Sequence, residues 1–269
     1  MTTLKGEMTM SKDCFNIEGY LERINYKGSL DVSKETLYNI HMAHALSIPF
    51  ENLDVYFKKP VYLDRESLYK KIVANKRGGY CFEMNGLLSI ILKGLGFKVS
   101  NLLARITIDN GITYKAKTHQ VLCVEIGDEK YLLDVGYGNN GLVAPILIEP
   151  GKEQEQFYDT FRIIEVEKYG YVLQRKVEDE FVYIYAFDLE ECSPADFLMS
   201  HHFTSTFSES LFVNKKVCTM PTKEGRITLT DDHFKVEKDN KTSILEIEDD
   251  DHYNELLKEH FKLDLETIR

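Results

Sequence analysis

The sequence reads as an α+β protein of 269 residues. Three observations carry that reading. Apolar residues recur at spacings of three and four through the first third, the period falls to two from Lys98 onward, and the last block passes from strands back to a helix. A single core stops growing at roughly 250 to 300 residues, so a chain of this length is expected to divide into two or three closely packed subdomains.

The elements follow in order. Phe15, Ile17, Tyr20, Leu21 and Ile24 mark one apolar face of a first helix. Asp31 or Ser33 caps a second, which Leu37, Ile40, His44 and Leu46 extend and Pro49 stops. Asp64 to Ser67 start a third, with Leu68, Tyr69, Ile72 and Val73 inward, and it ends before Arg77-Gly78-Gly79. Cys81 opens a fourth, running through Leu87, Leu88, Ile91 and Leu92 to the glycines at 94 and 96. Strand-like runs then occupy Leu102 to Ile108, Gln120 to Ile126, Tyr131 to Tyr137, Phe161 to Val166, Tyr171 to Lys176 and Phe181 to Phe187, which predicts an antiparallel sheet or small barrel. Cys192 to Phe203 reads as a connecting helix or loop. Short strands at Ile227 to Thr230, His233 to Val236 and Ser243 to Ile247 precede a last helix through Tyr253, Leu256, Leu257 and Phe261.

Composition narrows the function. There are 33 Lys and Arg against 44 Asp and Glu, a formal charge of -11. Nucleic-acid binders draw affinity from cations that neutralise phosphates, so that class is excluded, and an anionic membrane surface with it. No segment approaches the roughly 18 apolar residues of a membrane span and Met1 to Asp13 lacks an apolar signal region, so a cytoplasmic protein is expected. Five cysteines at irregular spacing, without a CxxC pair, suit free thiols in a reducing compartment.

Cys81 is the candidate nucleophile. It directly follows Arg77-Gly78-Gly79-Tyr80 at the start of an apolar helix, where the positive end of the helix dipole and unpaired N–H groups favour a thiolate. The competing reading is an inert buried thiol, the commonest fate of a free cysteine. His119 is the candidate base. A Gly127-Asp128 type II′ turn pairs Ile126 with Glu129 and, counted outward, His119 with Gly136, which puts Asp134 on the same face as His119 as a diagonal neighbour. An imidazole and a carboxylate meet at that distance, as an orienting Asp requires. A one-residue slip of register would separate them, leaving a surface His and a turn-proximal Asp with no joint role.

Arg77-Gly78-Gly79-Tyr80-Cys81-Phe82-Glu83-Met84-Asn85, Thr118-His119-Gln120-Val121-Leu122 and Tyr131-Leu132-Leu133-Asp134-Val135-Gly136-Tyr137-Gly138, with Ile48-Pro49-Phe50-Glu51-Asn52-Leu53 upstream, resemble the arylamine N-acetyltransferase family, of the prokaryotic type. The resemblance covers nearly the whole chain. It implies a papain-like cysteine-triad core with Cys81, His119 and Asp134 as the triad. It also implies an N-terminal helical bundle carrying the nucleophile (1–96), a central antiparallel β-barrel carrying His and Asp (97–190), a connecting helix or loop (191–204) and a C-terminal α/β lid (205–269).

The same resemblance assigns further roles. Arg77 is expected to pair with Glu51 as structural support, and Phe50 and Tyr137 to line the acceptor pocket, Tyr137 standing where the family commonly has Phe. Thr118, Phe203, Thr206 and Ser210 are its candidates for contact with coenzyme A (CoA). Ser205-Thr206, Ser210 and Phe212 fit the family's Ser-Thr-x-Pro-x-Ser-x-Phe stretch, while Ser208 replaces its proline and His201 its asparagine. The implied activity is ping-pong acetyl transfer from acetyl-CoA, a co-substrate rather than a resident cofactor, to arylamines, arylhydrazines or hydrazides through an acetyl-cysteine. Alternatives on the same triad are an amide synthase of natural-product assembly and a thiol hydrolase or transglutaminase-like enzyme; a non-catalytic binding protein is a third.

The remaining candidates are bland. His41 and His44 lack a third ligand and read as packing, the pair His201 and His202 diverges, and no metal is expected. Cys14, Cys123, Cys192 and Cys218 carry no chemistry. Because CoA is itself polyanionic, the charge of -11 requires local cations or backbone N–H groups to bind it, and Lys115, Lys117, Lys215, Lys216 and Arg226 are the candidates. No motif specifies an oligomeric state.

Overall fold

In the computed structural model, residues 16–107, 116–239 and 241–269 are described. Phe15, Cys14, Lys115 and the end of the strand expected to reach Ile108 lie outside them.

The helical third is set by local caps and one apolar face per helix. The Asn16 side chain accepts the Glu18 N–H to start α1 (Ile17–Arg23), Ser33 accepts the Thr36 N–H to start α2 (Lys34–Ser47), and Asp64 accepts the Ser67 N–H to start α4 (Arg65–Tyr69). A π-turn, Lys70–Ala74, prolongs α4 before the chain reaches α5 (Cys81–Gly94). These helices enclose a core that includes Tyr20, Leu37, Ile40, Ile72, Leu88 and Leu92, and it extends onto the barrel through Leu122, Val124, Leu133 and Val135. Two short pieces, β1 (Phe50–Glu51) and α3 (Leu53–Tyr56), fall between α2 and α4. Periodicity cannot register a strand of two residues or a helix of a single turn.

The middle of the chain is an antiparallel barrel. Its strands are β2 (Lys98–Ile106), β3 (His119–Ile126), β4 (Glu129–Leu133), β5 (Ile146–Leu147), β6 (Glu153–Gln156), β7 (Asp159–Val166), β8 (Gly170–Val177) and β9 (Glu180–Phe187). Their order is β5-β4-β3-β2-β9-β8-β7-β6, so β5 and β6 are the free edges. Glutamine side chains close most of the gap. Gln154 accepts the Leu147 N–H at 2.9 Å and donates to the Leu147 carbonyl at 2.9 Å, while Gln156 accepts from Val143 at 3.0 Å and donates to the Ala144 carbonyl at 2.7 Å. Inward residues such as Leu102, Val121, Cys123, Leu132, Phe161, Leu173 and Tyr185 fill the interior.

The β3–β4 hairpin runs in the expected register, Ile126 against Glu129, with Gly127 at φ +60°. β4 is nevertheless shorter than the run Tyr131 to Tyr137 suggested. Its ladder ends at Leu133, because the next three amides find side-chain partners instead: Asp134 N–H donates to His41, Val135 N–H to Asn85 and Gly136 N–H to the Asp134 carboxylate.

The segment from Cys192 to Phe203 is a helix, α6 (Pro194–Thr206), followed by the single turn α7 (Leu211–Asn214). The C-terminal sheet orders as β1-β10-β11-β12-β13, with β10 (Val217–Pro221), β11 (Gly225–Thr230), β12 (His233–Lys238) and β13 (Lys241–Glu246). It packs on α8 (Asp250–Leu256), a π-turn at Leu257–Phe261 and α9 (Leu265–Ile268), around Leu229, Phe234, Tyr253 and Leu257. Because β1 pairs Phe50 with Thr219 and Glu51 with Cys218, the chain just after α2 is stitched into this last sheet. The architecture is α+β: helical bundle, nearly closed antiparallel barrel, and a C-terminal sheet with helices.

Candidate active site

Cys81 stands at the first position of α5, 3% exposed. What holds it there is a buried charge cluster. Arg77 Nε donates to Glu51 at 2.9 Å and its Nη2 reaches Asp54 at 3.1 Å, while Lys71 Nζ lies 2.7 Å from Asp54 and 2.8 Å from Glu83. Glu83 in turn accepts the Tyr80 N–H at 3.1 Å, which caps the helix that begins with Cys81. Burial raises the Glu83 pKa and Glu51 adds to it, opposed by Lys71; Lys71 itself is raised because its three carboxylate neighbours outweigh its burial. Buried charges persist only when paired and hydrogen-bonded, and each member of this cluster is.

His119 and Asp134 meet. The hairpin parity brings His119 Nε2 to 2.6 Å from Asp134 Oδ2, with both residues buried. That leaves Nδ1 as the ring nitrogen not bound to Asp134, and Cys81, at the start of α5, is close enough to influence the ring; its thiol lies 3.9 Å from the Thr118 carbonyl oxygen. Burial alone would depress the His119 pKa, but the Asp134 carboxylate, with help from Cys81, pushes it up to about 10. Asp134 moves the other way: burial raises it, and His119 together with hydrogen bonds from Asn85 and Gly136 holds it below the usual carboxylate value.

Several members of this site escaped the sequence reading. Asn85 Nδ2 donates to Asp134 Oδ1 at 2.9 Å and to the Gln120 carbonyl at 2.7 Å. A signal existed, since Asn85 sits four residues after Cys81 and therefore on the same helix face. Tyr185 is fully buried with its ring 5.2 Å from that of His119, and burial followed by the Asp134 carboxylate keeps its hydroxyl well above its usual pKa. Lys71 and Asp54 gave no local signal, because their partners are distant in sequence. Gly136 has a steric reason: a Cβ there would lie 2.6 Å from the Cys81 Cα.

The expected pocket residues border the same space. Tyr137 lies half-buried with its ring 5.6 Å from His119 and 5.7 Å from Tyr185; burial and then Asp134 push its hydroxyl up to about 12. Phe50 belongs to an apolar cluster with Tyr80, Cys81, Phe82 and Leu103, and its ring is 5.7 Å from that of Phe212. Tyr80 hydrogen-bonds His201 on α6, so the position where asparagine is usual in the family resemblance instead ties α6 to the residue just before Cys81.

The CoA candidates separate. Thr118 sits beside Cys81, whereas Phe203 is 45% exposed and stacked on Phe207 at 4.8 Å. Thr206 and Ser210 donate their hydroxyls to the carbonyls of His202 and Thr204 at the end of α6. The proposed basic patch does not form among the described residues. Lys117 pairs with Asp188 and Lys215 with Asp232, Lys216 is buried against Asp231 and Asp250, and Arg226 is buried with its guanidinium on the Gly138 carbonyl. No group of three potential metal ligands occurs among the described residues, and no described helix is long and apolar enough to cross a membrane.

Comparison with known proteins agrees with this geometry. A family model described as N-acetyltransferase matches residues 33–269. The arylamine N-acetyltransferase of Escherichia coli K12 is 36% identical over 216 residues, covering 80% of this chain and 76% of that protein. The arylamine N-acetyltransferase of Mycolicibacterium smegmatis is 33% identical over 257 residues, covering 93% and 92%. Among solved structures, the M. tuberculosis arylamine N-acetyltransferase superposes with TM-score 0.89 at 30% identity, over 94% of this chain and 96% of that one. The Mycobacterium marinum enzyme in complex with CoA gives TM-score 0.89 at 31% identity, over 94% and 95%. With helical bundle, barrel and C-terminal sheet shared along nearly its whole length, the chain belongs to the arylamine N-acetyltransferase family, a family of acyltransferases.

Proposed function

We propose that the protein transfers an acetyl group from acetyl-CoA to arylamines, arylhydrazines or hydrazides by a ping-pong route through acetylated Cys81. The observation that carries this reading is the buried, hydrogen-bonded His119–Asp134 pair set against a thiol at a helix start. Relatives named for arylamine acetylation and a structural neighbour solved with CoA support the two substrates.

In the first half-reaction Cys81 acts as a thiolate beside the His119 imidazolium and attacks the thioester carbonyl. The carbon–sulfur bond to CoA breaks, CoA leaves with the proton from His119, and an acetyl-cysteine remains. The N–H groups of Cys81 and Phe82 precede the first helical bonds, which Glu83 and Met84 donate to the Tyr80 carbonyl, and they suit the developing oxyanion. In the second half-reaction a neutral arylamine nitrogen attacks the acetyl carbon, His119 takes the amine proton, and Cys81 departs as the thiolate. Phe50 and Tyr137 are the proposed walls for the aromatic acceptor. Thr118 and Phe203 are the proposed edges of the CoA path, with Thr206 and Ser210 supporting it through the end of α6. Arg77 and Glu51 keep the nucleophile's loop in place. No resident cofactor enters the scheme.

The test is a steady-state assay of CoA release against a panel of anilines and hydrazides, with Cys81→Ala as control. The expected result is parallel lines in double-reciprocal plots and acceptor-dependent turnover that the variant lacks. Equal CoA release with and without acceptor would instead indicate a thiol hydrolase.

A further inference from the structure

Beneath the proposed triad, α2 presents a histidine that none of these steps uses. His41 is fully buried, and both ring nitrogens are engaged. Asp134 donates its backbone N–H to His41 Nε2 at 3.2 Å, and His41 Nδ1 lies 3.0 Å from the Val143 carbonyl oxygen. An amide N–H can only donate and a carbonyl can only accept. The hydrogen-bond network therefore assigns one neutral tautomer, with the hydrogen on Nδ1 and the lone pair on Nε2.

We infer that His41 is a positioning residue for the Asp134 carboxylate, holding the Asp134 main chain where β4 leaves its ladder. The inference rests on the triad reading above and extends it to the support under the carboxylate. The side chain of Asp134 is already tied: Oδ1 accepts from Asn85 and Gly136, and Oδ2 faces His119. Those bonds fix direction only if the backbone they hang from is fixed. β3 no longer supplies a ladder partner at residue 134, since the pairing ends at Leu122 and Leu133. The imidazole of His41 takes over that duty from the helical bundle, and its second hydrogen bond to Val143 sets the ring's own orientation.

The surroundings favour the neutral ring. Burial pushes His41 down to about 4, against the opposing influence of the Val143 carbonyl and Asp134. One turn along α2, His44 is also fully buried, its Nδ1 2.8 Å from the Tyr20 hydroxyl, and burial followed by His41 lowers its pKa too. A proton on Nε2 of His41 would point at the Asp134 N–H and break the link. Packing alone would accept any apolar side chain of similar volume, whereas positioning requires an acceptor at the Nε2 location.

Two variants separate these roles. A shorter asparagine amide reaches Val143 from the Nδ1 location but not the Asp134 N–H, and a glutamine amide oxygen reaches that N–H. Single-turnover acetylation of Cys81 by acetyl-CoA is expected to slow about tenfold or more in His41→Asn and to stay within about threefold of the parent in His41→Gln, because an orphaned buried Asp134 N–H lets the main chain that carries the carboxylate shift toward another acceptor. CoA affinity should be unchanged in both. Equal rates in the two variants, or a faster asparagine enzyme, would overturn the assignment. A measurement on the unaltered protein stands beside this: nitrogen NMR of labelled histidines should find His41 as the Nδ1–H tautomer at pH 7, and an Nε2–H tautomer or an imidazolium there would contradict it. Failure of the triad reading gives a different result, since the unaltered Cys81 would then take no acetyl group at all.

Discussion

At the scale of single residues, the site turns on a carboxylate that orients a histidine. Asp134→Asn keeps the volume but removes the charge that raises His119, so kcat/KM should fall by about two to four orders of magnitude, as for an orienting Asp in other triads. Stability should follow the same group. The raised His119 pKa means its contribution is present in full below the ordinary histidine value and is lost as pH rises through about 10. Denaturant midpoints should therefore drop between pH 7 and pH 10 in the parent, and the drop should shrink in Asp134→Asn. The sequence already made this pair legible, because a Gly127-Asp128 turn and strict alternation fix which residues share a face. His41, Tyr185 and Lys71 were not legible, since each acts through a partner brought close only by tertiary packing.

Among the elements, the loop after β4 carries the steric and electrostatic demands of the site. Gly136→Ala would drive a Cβ to within 2.6 Å of the Cys81 Cα, so the loop or α5 must shift. Activity should fall about 100-fold or more while secondary structure by circular dichroism persists, because a displacement of about 1 Å at the reacting groups is enough. On the other side of Cys81, Glu51 is fully buried under Arg77 and Lys71. Glu51→Gln leaves Lys71 and Arg77 matched by Asp54 and Glu83 but weakens the buried acceptor of Arg77 Nε and the Leu53 N–H, and should destabilise the protein by about 1–3 kcal/mol, read as a lower denaturant midpoint. Helices α2 and α5 were readable from caps and periodicity. β1 and β5 were not, since two residues carry no period, and β4 ended early because its amides turn to His41, Asn85 and the Asp134 carboxylate.

Across the whole molecule, the charge of -11 works against a polyanionic substrate. Among the described residues, the cations expected to offset it are already matched by carboxylates or buried, as with Lys117 on Asp188 and Lys215 on Asp232. Lys117→Ala and Lys215→Ala should therefore change the KM for acetyl-CoA by less than about threefold, exposed pairs being of small consequence. Raising ionic strength from about 20 to 200 mM should likewise not weaken acetyl-CoA use, because salt screens the net repulsion. The α+β layout was legible from the change of period at Lys98. The stitching of β1 into the last sheet was not, because it joins segments more than 160 residues apart, Phe50 to Thr219. In the proposed function, all three layers serve to hold one thiol against one histidine. Intact-mass and peptide mass spectrometry after mixing the protein with acetyl-CoA, with no acceptor present, tests that most directly: one acetyl group on the peptide containing Cys81, removed by adding an arylamine, is the expected result, and an unmodified Cys81 or an acetyl group that arylamine cannot remove would contradict it.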